Sequence, residues 1–244
     1  MLQEISFIGF GNFGQFIVNH LTPYAKVYAH DMRDYSQQAK EKGVTWLSSI
    51  EEALDKQAIV LCVPVQFLES LLQLIGDKIK PGTLVIDVAS VKVKPVELIK
   101  KYVSDEVFIT ALHPLFGPQS GKNGITGLTV VACEVRYPKF GIITDFLANK
   151  LKLNVLIRTP EVHDQQMAYV QALTHFVGRA VNEMDIPDVE QKTPAYQYLL
   201  DIKRNLGQDS WDLFLTIENE NPYAAKVRQD FLKELEALNY KLRQ

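Results

Sequence analysis

The chain has 244 residues, room for one large domain or two smaller ones. Hydrophobic residues make up 47% and charged residues 23%, the balance of a globular protein with a sizeable core. A formal net charge of -3 argues against a nucleic-acid or acidic-membrane partner, and no apolar run approaches the ~20 residues of a membrane span. Cys62 and Cys133 lie in apolar runs and read as buried thiols in a reducing compartment rather than a disulfide. With no basic and apolar leader at the N-terminus, the expectation is a soluble, cytoplasmic protein.

Ile5 to Ile8 is a short apolar strand that runs into Gly9-Phe10-Gly11-Asn12-Phe13-Gly14, followed by the apolar face Phe16, Ile17, Val18, Leu21. This is the strand, glycine turn and helix order of a dinucleotide-binding unit. Gly9 permits the turn, Gly11 lets backbone approach a pyrophosphate, and Gly14 lets helix and strand pack closely. A second strand, Lys26 to His30, ends at Asp31, 17 residues beyond Gly14 and near the spacing of a carboxylate that holds ribose hydroxyls. Such an acid repels a 2′-phosphate, which favours NAD over NADP, and Arg33 is placed to stack on adenine or meet a phosphate. Ile50 to Leu54 reads as a helix, Ala58 to Val63 as a buried strand ended by Pro64, and Phe67 to Ile75 as a helix. Thr83 to Val88 is another strand and delivers Ala89-Ser90-Val91-Lys92 to the edge that holds the glycine turn. Val107 to Leu112 delivers His113, a group that exchanges a proton near neutral pH. Gly127 to Cys133 and Leu153 to Ile157 are later strands, with Phe140 to Leu151 a helix between them.

Beyond Arg158-Thr159-Pro160 the strand pattern stops. His163 to Met184 reads as one long helix, and 194–206, 211–218 and 223–242 as three more. The fold class is therefore α/β: a Rossmann-type doubly wound sheet over residues 1–158, then an all-helical region over 159–244. Broad apolar helix faces suit packing against the first domain and a second subunit, so a homodimer is expected.

These motifs together resemble the prephenate and arogenate dehydrogenases of tyrosine biosynthesis. Gly9 to Phe16 is similar to the plant arogenate form's opening. Asp87-Val88-Ala89-Ser90-Val91-Lys92 is similar to the family's serine motif, and His113-Pro114-Leu115-Phe116-Gly117-Pro118-Gln119-Ser120-Gly121 to its histidine motif. His163-Asp164-Gln165 and Gln171-Ala172-Leu173-Thr174-His175-Phe176 resemble the first helix of its dimerisation domain.

The resemblance implies an NAD-dependent oxidative decarboxylation of prephenate, with arogenate as the alternative substrate, and no metal. It implies His113 as the base for a ring hydroxyl and Ser90 as its hydrogen-bonding neighbour. Lys92 reads equally as a solvated helix-start residue. Asn12 and Phe13 join Gly9, Gly11, Gly14, Asp31 and Arg33 on the cofactor side. His163, Gln171, Thr174 and His175 are implied to line the substrate pocket. Arg204 is similar to an arginine of bacterial prephenate dehydrogenases, where plant arogenate sequences carry an acid nearby. It therefore leans the reading toward prephenate, with Arg228 and Arg179 as further cations. Two rivals remain from the residues themselves. The β-hydroxyacid dehydrogenases and ketopantoate reductases, which this architecture also resembles, use a lysine on a helix of the second domain, yet residues 161–184 contain none. A nucleotide-sensing protein without chemistry shares the fold but has no use for Ser90 and His113.

Overall fold

In the computed structural model, which describes residues 2–206 and 210–244, β1 (Glu4–Ile8), α1 (Asn12–Ile17) and β2 (Lys26–His30) form the opening unit. It is followed by α2 (Ser36–Glu41), β3 (Thr45–Trp46), α3 (Ile50–Leu54), β4 (Ala58–Leu61), α4 (Val65–Ile75), β5 (Leu84–Asp87), α5 (Val93–Tyr102) and β6 (Phe108–Pro114). Then come β7 (Thr129–Arg136), α6 (Phe140–Asp145) and β8 (Asn154–Ile157). Among the described residues these strands make one sheet of eight, in the order β3-β2-β1-β4-β5-β6-β7-β8. Strand order reverses between β1 and β4, the switch point at which open α/β sheets bind ligands beyond their carboxyl ends.

Continuous apolar runs become central strands because both sheet faces are covered. In β4, Ala58 and Val60 enter the core on one face, while Ile59 and Leu61 enter the core on the other. The second core is closed by α4, whose Val65, Leu68, Leu72 and Ile75 form a buried stripe, and by Leu98 and Ile99 of α5. From β3 through β6 the strands are parallel, but β7 runs antiparallel to β6, with Leu112 opposite Ala132 and His113 opposite Val131. Strand β8 then pairs parallel to β7. The apolar pattern of 127–133 locates this strand, but periodicity carries no direction.

The chain divides into two compact units, 1–160 and 161–244, where the sequence places the boundary after 158. The second unit is helical. It begins with α7 (Pro160–Met167), passes through a π-helical turn (Ala168–Leu173) into α8 (Thr174–Glu183), and continues with α9 (Pro194–Leu206), α10 (Trp211–Glu220) and α11 (Ala224–Lys241). The single helix expected over 163–184 is thus continuous but locally unwound. Its small core joins Ala172, Ile217 and Ala224, with Leu213 against them. Helix α9 approaches α8 at Gly178, where a Cβ would lie 2.7 Å from Leu206 Cδ1. No described helix is long and apolar enough to cross a membrane.

Candidate active site

The glycine turn sits at the switch point. Gly9 has φ +97°, and a Cβ there would collide with the Cys62 carbonyl at the end of the neighbouring strand. Gly14 is also tight, though less so: a Cβ would lie 3.0 Å from the Gly9 carbonyl oxygen. Gly11 is different, because a Cβ there would meet open space, the space an incoming pyrophosphate needs. No side chain caps α1, so its first N–H groups, at Asn12 and Phe13, are not claimed by a capping residue. Asp31 Oδ2 accepts from the Phe10 N–H at 2.7 Å, and Oδ1 accepts from the Arg33 N–H at 2.9 Å. Each oxygen keeps a lone pair for a ribose hydroxyl. Arg33 itself is exposed. The residues present therefore fit a dinucleotide: an open backbone approach, an uncapped helix start, and a carboxylate at the end of β2. Burial, with the charges of Asp31 and Asp87, pushes the adjoining Cys62 thiol up to about 12, so it stays neutral.

Ser90 and His113 arrive on adjacent strands. β5 ends at Asp87, opposite Ala111 of β6, and β6 continues two residues to His113. His113 is buried and Ser90 is half-buried. The largest departure from the sequence reading is Lys92. It is fully buried, paired with Asp87, and donates to the Leu112 carbonyl at 2.8 Å. It is therefore not a solvated helix-start residue. The signal was an acid ending a strand with a lysine five residues on; the fold supplies the third partner, twenty residues away. After His113 the loop folds back on α1: Phe16 packs edge-on against Phe116, with centroids 6.3 Å apart, and Gly121 lies directly against the Phe16 ring. The histidine loop thus packs on the helix that follows the glycine turn. A shallow depression of about 440 Å³ between Gln3, Thr22 and Lys26 lies at the opposite, amino edge of β1 and β2.

In the helical unit the implied substrate residues fall into different settings. His163 is fully buried, its Nδ1 2.7 Å from Asp164 Oδ1, and the Asn221 amide donates to the Asp164 carbonyl at 2.8 Å. Those bonds hold its ring within the unit's polar core. Gln171 lies in the π-helical turn with a buried Oε1 that has no donor among the described residues. Such turns are frequent at functional sites. Thr174 is exposed and His175 half-buried, on the first residues of α8. Arg204 is exposed, 3.5 Å from Asp201. Arg228 pairs with the buried Glu218 and stands over the Phe176 ring. Arg179 stacks on Trp211 and Phe214. Sequence reasoning missed Glu218. Burial pushes its carboxyl up, Arg228 opposes the shift, and its Oε1 has no donor among the described residues. Among the described residues no group of three or more His, Cys, Asp and Glu side chains could hold a metal ion.

A family model described as prephenate dehydrogenase, nucleotide-binding domain, matches residues 18–131, which include Ser90 and His113. A second, described as TYRAAT1-like, C-terminal domain, matches residues 180–244. Arogenate dehydrogenase 1, chloroplastic, of Arabidopsis thaliana is 30% identical over 98% of this chain, which spans 39% of that protein. Arogenate dehydrogenase 2, chloroplastic, of the same plant is 30% identical over 97% of the chain, which spans 67% of it. The same fold is seen in prephenate dehydrogenase from A. aeolicus, crystallised with hydroxyphenyl propionate and NAD+: TM-score 0.78 at 19% identity, covering 99% of this chain and 91% of that one. The glycine turn, the serine and histidine loops on neighbouring strands, and relatedness along nearly the whole chain converge: this chain belongs to the prephenate/arogenate dehydrogenase family.

Proposed function

We propose that the chain is an NAD-dependent prephenate dehydrogenase. The observation that carries the reading is the delivery of Ser90 and His113, by the adjacent strands β5 and β6, to the sheet edge that holds the glycine turn. The turn, the start of α1 and Asp31 would hold the dinucleotide, which when bound would supply a hydride acceptor for the carbinol carbon of the ring. His113 as a neutral imidazole accepts the hydroxyl proton of that carbon, and Ser90 hydrogen-bonds the same hydroxyl. The carbon becomes a ketone, and loss of the ring carboxylate as carbon dioxide gives a phenolate. The proton held on His113 can return to that oxygen. Arg204 is the cation assigned to a substrate carboxylate, with Gln171, Thr174 and His175 as its neutral neighbours and Arg228 as the second cation. Arogenate is the second reading. It is supported by the names of the two Arabidopsis relatives and by Asp201 beside Arg204, an acid suited to an ammonium group. The helical unit is further assigned to homodimer formation.

The test is a two-by-two assay, prephenate or arogenate against NAD or NADP, following nicotinamide reduction. Prephenate with NAD should give the highest kcat/KM. His113→Ala should cost about 10²–10⁴-fold in kcat, the usual share of a general base. The wild-type rate should fall with decreasing pH as the imidazole takes up a proton and can no longer act as a base. Unchanged turnover in the alanine variant removes His113 from the chemistry.

A further inference from the structure

We infer that Lys92 is a positioning residue for Ser90 and His113. The inference takes its kinetic consequence from the dehydrogenase reading, while its structural core stands on geometry alone. Asp87 closes β5, and its Oδ1 accepts from the Ala89 N–H at 3.0 Å, which sets the first bend of the loop. Its Oδ2 takes the Lys92 ammonium, which fixes the loop's far end. Ser90 lies between these two anchors. The same ammonium donates to the Leu112 carbonyl at 2.8 Å, on the residue immediately before His113. β5 has already ended at that level, so β6 outruns its parallel neighbour and the ammonium bonds the carbonyl there. One buried charge therefore bonds to both the loop that carries Ser90 and the strand that carries His113.

Stability alone does not call for this arrangement. Both side chains are almost wholly buried, 0% and 2% exposed. A buried ion pair is often replaceable by apolar groups at no loss, because desolvation offsets attraction. What an ammonium adds over a methyl group is direction: its donors fix two acceptors at once. Misplacement of a reacting group by about 1 Å can cost about a hundredfold in rate. As an ammonium paired with Asp87, Lys92 has no lone pair with which to take the substrate's proton.

The experiment compares wild type with Asp87→Asn/Lys92→Met, which removes both charges and so leaves neither one orphaned. Imidazole ¹⁵N–¹H spectra are recorded on both, with the His113 signals assigned by their loss in His113→Gln. The expected result is a cooperatively folding double variant with displaced His113 signals. Its kcat should be lower by about a hundredfold, with the KM for NAD within about twofold of wild type. A folded double variant with wild-type His113 signals and wild-type kcat overturns the inference. Should the variant fail to fold, wild-type protein decides. Lys92 ammonium protons in slow exchange, with a cross-relaxation contact to residues 112–113, support the inference, and a freely exchanging ammonium overturns it. If wild type turns over neither prephenate nor arogenate, the functional reading falls, and the spectra still decide the role of Lys92.

Discussion

The carboxylate of Asp31 already accepts from the Phe10 N–H in the glycine turn, so a ribose hydroxyl would be its additional donor rather than its first. Asp31→Ser should therefore do two things: relax the NAD/NADP preference by about tenfold or more, the worth of one charge-assisted hydrogen bond, and weaken the turn. Asp31→Asn keeps an oxygen for the Phe10 N–H while removing the charge, and should shift preference with less loss of thermal stability. Kinetics with both cofactors, read beside thermal denaturation, separates the two roles. Glu218 offers a second test at this scale. Burial raises its carboxyl above the ordinary 4.5, so the folded state holds the proton more tightly than the unfolded one does. Stability is then lost as pH rises from the unfolded value through the raised folded value. Glu218→Gln, which cannot titrate, should gain stability relative to wild type across that interval, as urea midpoints between pH 4 and 7 would show. A constant difference would mean that Glu218 ionises alike in both states.

Gly9 and Gly11, two residues apart in the turn between β1 and α1, should respond differently. Gly9→Ala meets both a positive φ and the Cys62 carbonyl, and should destabilise by about 2–3 kcal/mol. Gly11→Ala meets open space at an ordinary φ of −71°, and should change stability by less than about 0.5 kcal/mol while weakening dinucleotide binding. Thermal denaturation beside cofactor titration reads both, and equal losses in the two variants would contradict the assignment of Gly11. These elements show what local pattern conveys. Strands β1, β4, β5 and β6, the glycine turn and the addresses of Ser90 and His113 all follow from apolar runs bounded by Gly and Pro. The antiparallel course of β7 did not, because hydrophobic runs have no sense of direction. Nor did the π-helical turn at 168–173, where one extra residue rotates the face of a helix whose composition stays the same. The burial of Lys92 escaped because lysine beside a helix start ordinarily reaches water, and its partner Leu112 is set by sheet register. Glu218 escaped likewise, since an acid near the end of a helix reads as solvated until the packing of that helix is known.

At the scale of the whole molecule, α11 leaves Leu232, Leu235 and Leu238 exposed along one stripe at helical spacing, continued by Leu242 just past its end, in a unit whose own core is small. That face suits the homodimer proposed for the helical unit. Wild type should sediment as a dimer, and Leu235→Lys/Leu238→Lys should shift it toward monomer at micromolar concentration. A wild-type monomer, or a variant that stays dimeric, would move the interface elsewhere. The division after Pro160 has a consequence for descent as well. The glycine turn, Asp31, Ser90, Lys92 and His113 all lie on one side of it, and Gln171, Thr174, His175, Arg204 and Arg228 on the other. On the proposed assignment, chemistry and substrate choice are thereby written in separate heritable segments. A lineage could exchange or drift through 161–244, trading one ring acid for another, while the machinery that moves the proton passes down intact.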